Sequence, residues 1–130
     1  MVGDTINLSG DFRGAILNIK STLREVQQSV GEIQAAGPAQ VQELQGLIEA
    51  LTQALERIPQ EKEEQAQAVA ETAKQLVDSA KEETPNKTMI RITGESLKQA
   101  AQNLAEAAPA VIALTSQIVM AVLKITGSTP

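Results

Sequence analysis

The sequence of 130 residues contains no His, Cys, Trp or Tyr, and Phe12 is its only aromatic residue. The common zinc, copper and haem sites depend on His or Cys ligands, and many nucleophilic enzymes depend on the same two residue types. We therefore expect no metal, no cofactor and no enzymatic activity. Without Cys the chain forms no disulfide, so its stability must come from packed apolar surface.

Basic residues are also scarce, with 11 Lys and Arg against 16 Asp and Glu and a formal net charge of −5. Nucleic-acid binding requires clustered basic side chains, and base stacking requires aromatic ones. We therefore expect no nucleic-acid partner. The start of the chain lacks the basic and then apolar stretch of a secretory signal, which favours a cytoplasmic location.

The length is that of a single domain. Its first part, Thr5-Ile6-Asn7-Leu8, alternates apolar and polar residues between Gly and Asp turn signals. Such alternation is typical of extended chain. The pattern predicts an extended arm over residues 1–13, a helical bundle over 14–126 and a frayed tail over 127–130.

The first helix is predicted over residues 14–35, where apolar residues recur at steps of three and four. These positions, which we call the seam residues, are joined by Phe12 one step earlier. The full set is Phe12, Ile16, Ile19, Leu23, Val26, Val30 and Ile33.

Gly37-Pro38 ends this helix and begins a second one with the same stepping, from Val41 to Ile58. Two helices of matched length joined by a short breaker predict an antiparallel hairpin. After Pro59, a third helix over 60–83 has a face composed mostly of Ala and Val. Its acidic clusters, Glu61 to Glu64 and Glu82-Glu83, are typical of solvated helix ends rather than of catalytic carboxyl groups.

Residues 84–87 form a loop, and the segment after this loop allows two interpretations. Residues 88–93 are either an extended run or the first turns of a fourth helix that begins after Asn86, and we favour the helix. Pro109 is either a kink or the first residue of a last helix that runs to about Ile125. The fold class is therefore all-α, an antiparallel bundle of four to five helices with a short extended N-terminal arm.

Residues 107–123 contain no charged side chain. Seventeen residues of helix span about 26 Å, slightly less than the roughly 30 Å of a bilayer core. The segment is either a central bundle helix or an element that enters a bilayer after activation. Its candidate membrane residues are Val111, Ile112, Leu114, Ile118, Val119, Val122 and Leu123.

The third helix offers small apolar side chains, whereas the first, second and last offer Leu, Ile and Val. This imbalance predicts apolar surface that requires a partner, either a second copy of the chain or another helical protein. We expect a non-enzymatic interaction or oligomerisation module that binds through the seam residues. A membrane-active effector is the alternative.

The stretch Gly3-Asp4-Thr5-Ile6-Asn7-Leu8-Ser9-Gly10-Asp11-Phe12-Arg13-Gly14-Ala15-Ile16 resembles leader segments of small bacterial helical modules. Those modules lie beside effector or nucleotide-sensing domains in conflict and signalling systems, where they act as adaptors or membrane-directed effectors. The resemblance covers about twenty residues and includes no binding or catalytic motif. It implies a role in signalling or defence.

Overall fold

A computed structural model describes the backbone of residues 4–127 and the side chains of residues 16–127. Within this part of the chain there are five α-helices and a short 3₁₀ turn at Gln60–Lys62. The helices are α1 (Asp4–Val30), α2 (Pro38–Glu56), α3 (Glu63–Ala80), α4 (Lys87–Gln102) and α5 (Pro109–Thr126). The predicted all-α bundle is confirmed.

Local sequence signals explain where the later helices begin. Pro38 and Pro109 occupy the first turns of α2 and α5, where a missing backbone N–H costs nothing. The Asn86 side chain caps α4 by accepting a hydrogen bond of 3.0 Å from the Met89 backbone N–H. The fourth helix therefore begins directly after Asn86, and the extended alternative for residues 88–93 is excluded. At the other end of α5, Gly127 adopts a φ of 70°, a left-handed conformation that favours glycine.

The N-terminal prediction is wrong for residues 4–13, which are helical rather than extended. A short extended arm has no neighbouring strand in a helical protein, so its backbone groups would lack partners. Extending α1 toward the N-terminus satisfies those groups within the helix. The tail predicted at 127–130 lies outside the described residues except for Gly127, as do residues 1–3 of the arm.

The first helix also ends earlier than predicted, at Val30 rather than near residue 35. Gly31 lies directly after its last helical residue, and the backbone continues through short turns to Gly37. Ile33 nevertheless remains buried in the core, although it lies beyond the helix.

The helices form a closed ring in the order α1, α2, α5, α4, α3, with α3 packed again on α1. Side-chain pairs give the direction of each helix. Along α1 and α2 the partners run in opposite senses, from Lys20 with Glu56 to Gln27 with Gln45. The antiparallel hairpin is therefore confirmed.

By contrast, α1 and α3 run parallel, because three successive pairs between them keep a constant separation of 49 residues. The three pairs are Glu25 with Lys74, Ser29 with Asp78 and Glu32 with Lys81. A ring with an odd number of helices cannot alternate in direction throughout. The α1–α3 contact is one place where two neighbours share a direction.

The interior of the ring is filled by Leu, Ile and Val from all five helices, and α3 adds several Ala side chains. Ala66, Ala70, Ala73 and Ala80 are all buried, and α3 also touches α5 across the interior. Small side chains allow close helix approach. The Ala-rich helix α3 can therefore pack against three other helices, α1, α4 and α5.

Candidate interaction surface

The seam residues lie mostly inside the bundle. Five of them, Ile19, Leu23, Val26, Val30 and Ile33, are no more than 3% exposed within a single chain. Ile16 is half-buried. The backbone of Phe12 belongs to α1, and its side chain lies outside the described part of the structure. The seam therefore faces α2 and α3 in the folded chain rather than solvent.

Four of the seven candidate membrane residues of α5 are turned inward. Val111, Ile118, Val119 and Val122 are buried, and Ile112, Leu114 and Leu123 are half-buried. The buried Thr115 hydroxyl donates a hydrogen bond of 3.0 Å to the Ile112 carbonyl, so it needs no partner from another helix. Among the described residues, α5 is the one helix long and apolar enough to cross a membrane, and a third of that window is buried.

A different set of α5 residues faces outward. Their spacing is three, four, three and four, and we call this set the α5 outer face. It comprises Ala110, Ala113, Gln117, Met120 and Lys124, all exposed. Only Lys124, at the end of the set, carries a charge. Outward-facing positions of a soluble helix usually carry charged side chains, so this composition is unusual for a face in contact with water.

Beside the α5 outer face lies a groove of about 370 Å³ between α2 and α5. Its walls are contributed by Glu43, Leu47, Ser116, Gln117, Met120, Ala121 and Lys124. Leu47 packs on the core, whereas the Met120 side chain is 48% exposed. The outer face and the groove adjoin each other, and the charged groups of this combined surface are Glu43 on the α2 side and Lys124 at the end of α5.

Polar groups elsewhere form a stabilising cluster between α1 and α3. The Lys81 ammonium donates to a Glu32 carboxylate oxygen at 3.1 Å and to the Ser29 hydroxyl at 3.3 Å. The Ser29 hydroxyl in turn donates to Asp78 at 3.2 Å. The Glu32 carboxylate raises the pKa of Lys81 mainly through this hydrogen bond. The cluster adds polar contacts between the parallel helices α1 and α3.

Within residues 16–127, no group of three or more Asp or Glu side chains is placed to hold a metal ion. The acidic residues of the third-helix region do not converge: Glu61 and Glu64 are exposed at its start and Glu82 and Glu83 at its end.

Sequence reasoning identified the most apolar faces, which form the core, and missed the α5 outer face. The sequence does contain a pattern for this face, because uncharged residues recur at steps of three and four from Ala110 to Met120, before Lys124. That repeat was hidden by the stronger apolar pattern on the opposite side of the same helix.

Residues 4–127 thus form an all-α bundle of five helices, in which α5 has a weakly polar outer face. No protein-family model matches the chain, and no curated protein sequence or solved structure matches it either.

Proposed function

We propose that this protein is a non-enzymatic helical interaction module that acts by oligomerisation or by binding another helical protein. The observation that supports this proposal is the α5 outer face, an exposed helical strip without charge from Ala110 to Met120. The proposal moves the contact surface from the seam residues to this face, since five seam residues are already used in the core.

The chemistry of the strip suits a partner helix. Ala110 and Ala113 allow close approach of a second backbone, and Met120 can adjust its shape to a partner. Helix-in-groove recognition uses anchors at spacings of three and four, which is the spacing found here. Nucleic acid is not part of the proposal, because the strip has one basic residue and no aromatic ring.

The proposed setting is the cytoplasm of a bacterial cell, in signalling or defence. This part of the proposal depends on the resemblance of residues 3–16 to leader segments of small helical modules.

Sedimentation velocity over a concentration series tests the proposal. We expect the mass to rise above the 13.8 kDa of one chain as the concentration increases. Gln117→Glu should weaken association about tenfold or more, because it adds a charge to the centre of the contact. Gln28→Glu on α1 is the matched control, since Gln28 is exposed and α1 does not neighbour α5 in the ring.

A mass of one chain at every concentration, with no helical partner bound, would contradict the proposal. An equal effect of Gln117→Glu and Gln28→Glu would instead place the contact elsewhere on the surface.

A second candidate function, a membrane-active effector, is favoured by the length and composition of α5. Insertion would first have to remove five apolar side chains from the core, namely Val111, Ile118, Val119, Val122 and Ile125. Lipid would rebury these side chains, but the core faces of α2 and α4 that α5 covers would become exposed to water, which is unfavourable. Insertion therefore requires a trigger, and a constitutive membrane span is not proposed.

Flotation with anionic and neutral vesicles separates the two candidates. The interaction module should remain in the soluble fraction with both vesicle types. Recovery of the folded wild-type chain with lipid would favour the effector. Ile118→Lys is unsuitable as a membrane probe because Ile118 is fully buried, so this change should unfold the bundle.

A further inference from the structure

We propose that the occupant of the α5 outer face is a second copy of this chain. The two α5 helices would lie antiparallel about a two-fold axis that passes beside Gln117. This inference rests on the proposed function, because it specifies the partner and the geometry of the same surface.

The composition of the face is centred on Gln117. Apolar or small residues lie on both sides of it, and Gln117 is the only uncharged polar residue in the set. A carboxamide both donates and accepts hydrogen bonds, so two Gln117 side chains can pair with each other across a two-fold axis. A single polar residue in an otherwise apolar helix contact also fixes the register of the two helices.

An antiparallel arrangement about Gln117 places residues of complementary size opposite each other. Ala113 of one chain then lies opposite Ala121 of the other, and Leu114 lies opposite Met120. The two alanines permit close approach at one position, and the longer side chains fill the space at the next. Each α5 would also cover part of the groove that contains Leu47 of the other chain.

Charge distinguishes the antiparallel arrangement from a parallel one. Lys124 lies at the C-terminal end of the face, and the exposed Glu106 lies shortly before the start of α5. No ion pair or hydrogen bond of either charged group is found within residues 16–127. Two antiparallel helices place Lys124 of each chain opposite the first turn of the other α5, which the turn containing Glu106 directly precedes. A parallel pair would bring the two Lys124 side chains together instead, which is unfavourable.

Cross-linking tests this geometry in the full-length chain, which has no Cys of its own. Gln117→Cys places one thiol beside the proposed axis, and Ala110→Cys places one thiol about 21 Å from its counterpart along the antiparallel helices. A disulfide requires Cα atoms within about 7 Å of each other. Under mild oxidation, we expect Gln117→Cys to form a covalent dimer at least tenfold faster than Ala110→Cys. Gln28→Cys on α1 sets the background rate.

Equal cross-linking at Gln117→Cys and Ala110→Cys would overturn the antiparallel geometry. Cross-linking of Gln117→Cys at the background rate would overturn the α5 contact itself. Sedimentation of the wild-type chain separates this failure from failure of the proposed function. A self-associating wild type without a Gln117→Cys cross-link leaves the interaction module in place and rejects only this surface, whereas a chain that is monomeric throughout rejects both.

A charge exchange provides an independent test without any thiol. We expect Lys124→Glu alone and Glu106→Lys alone each to weaken the dimer, because each places like charges opposite each other. The double variant restores opposite charges. Its log Kd should therefore return at least halfway from the value of the weaker single variant to that of the wild type. Additive weakening in the double variant would contradict the proposed pairing.

Discussion

At the scale of single residues, two helical glycines have opposite surroundings. Gly46 lies on α2, and a Cβ added there would meet no atom within 4 Å. Gly94 lies on α4, and an added Cβ would lie 3.0 Å from Cγ1 of Val119 on α5. Gly94 therefore allows close contact between two helices, whereas Gly46 has no such role. The same substitution should have opposite effects at the two positions.

Gly46→Ala should raise the free energy of unfolding by about 0.5–1 kcal/mol, because Ala is the better helix former and loses less backbone entropy on folding. Urea unfolding followed by far-UV circular dichroism measures this change. A decrease in stability would show that Gly46 has a packing role that its open surroundings do not indicate.

Gly94→Ala should lower the free energy of unfolding by about 1 kcal/mol, because overpacking against Val119 exceeds the gain in helix propensity. The same urea experiment measures the loss. In a Val119→Ala background, which removes the two nearest methyl groups, the loss should disappear. A loss of equal size in both backgrounds would contradict the assignment of the contact to Val119.

At the scale of helices, Lys74 and Lys81 add ion pairs between the parallel helices α1 and α3. Hydrogen bonds from Lys74 to Asp78 and from Lys81 to Glu32 raise the pKa of both ammonium groups above their ordinary value of 10.5. Because the pKa of each lysine is higher in the folded chain than in the unfolded chain, the charged lysines stabilise the folded chain fully at pH values below their unfolded pKa. This contribution to the free energy of unfolding is lost as the pH rises through their pKa in the folded chain.

The wild-type chain should therefore lose stability as the pH rises above about 10.5. Lys81→Met should be slightly less stable than wild type at neutral pH, and it should lose less stability than wild type across this alkaline range. Both differences should be small, because the Lys81 side chain is about a third exposed. Thermal unfolding at a series of pH values measures them, and identical alkaline slopes would contradict this account.

The helix starts near Pro38, Asn86 and Pro109 could be predicted because each depends on a few neighbouring residues. The start of α1 could not be predicted in the same way. Residues 5–8 alternate like a strand, and the absence of any partner strand is a property of the whole fold. The end of α1 was misplaced because Gly31 and Gly37 are both plausible stops, and local sequence does not rank them.

At the scale of the whole molecule, the apolar repeat of α1 is compatible with two kinds of helix contact, and the sequence alone does not distinguish them. The same stepping is produced by a contact within one chain and by a contact between chains. The outcome depends on how many helices close around the first one. In this ring α1 is covered by α2 and α3, so that Leu23, Val26 and Val30 are fully buried.

Closure of the helix ring also determines which helix faces remain exposed for a partner to bind. Every helix has an inner face buried in the bundle, and the outer faces are mostly polar. The α5 outer face is an exception that the proposed function uses, although it is less apolar than the seam. The other large exposed apolar side chains among the described residues are Leu17 on α1 and the pair Met89 and Ile92, one turn apart on α4.

The central claim is that α5 is the contact surface between chains, and it is tested most directly by residue-resolved NMR. Amide spectra recorded over a dilution series report where association occurs. We predict concentration-dependent shifts at Ala110, Ala113, Gln117 and Met120 and along the adjoining groove at Leu47, with α1 unchanged. Spectra that do not change with concentration, or shifts centred on α1 and α3, would contradict the claim.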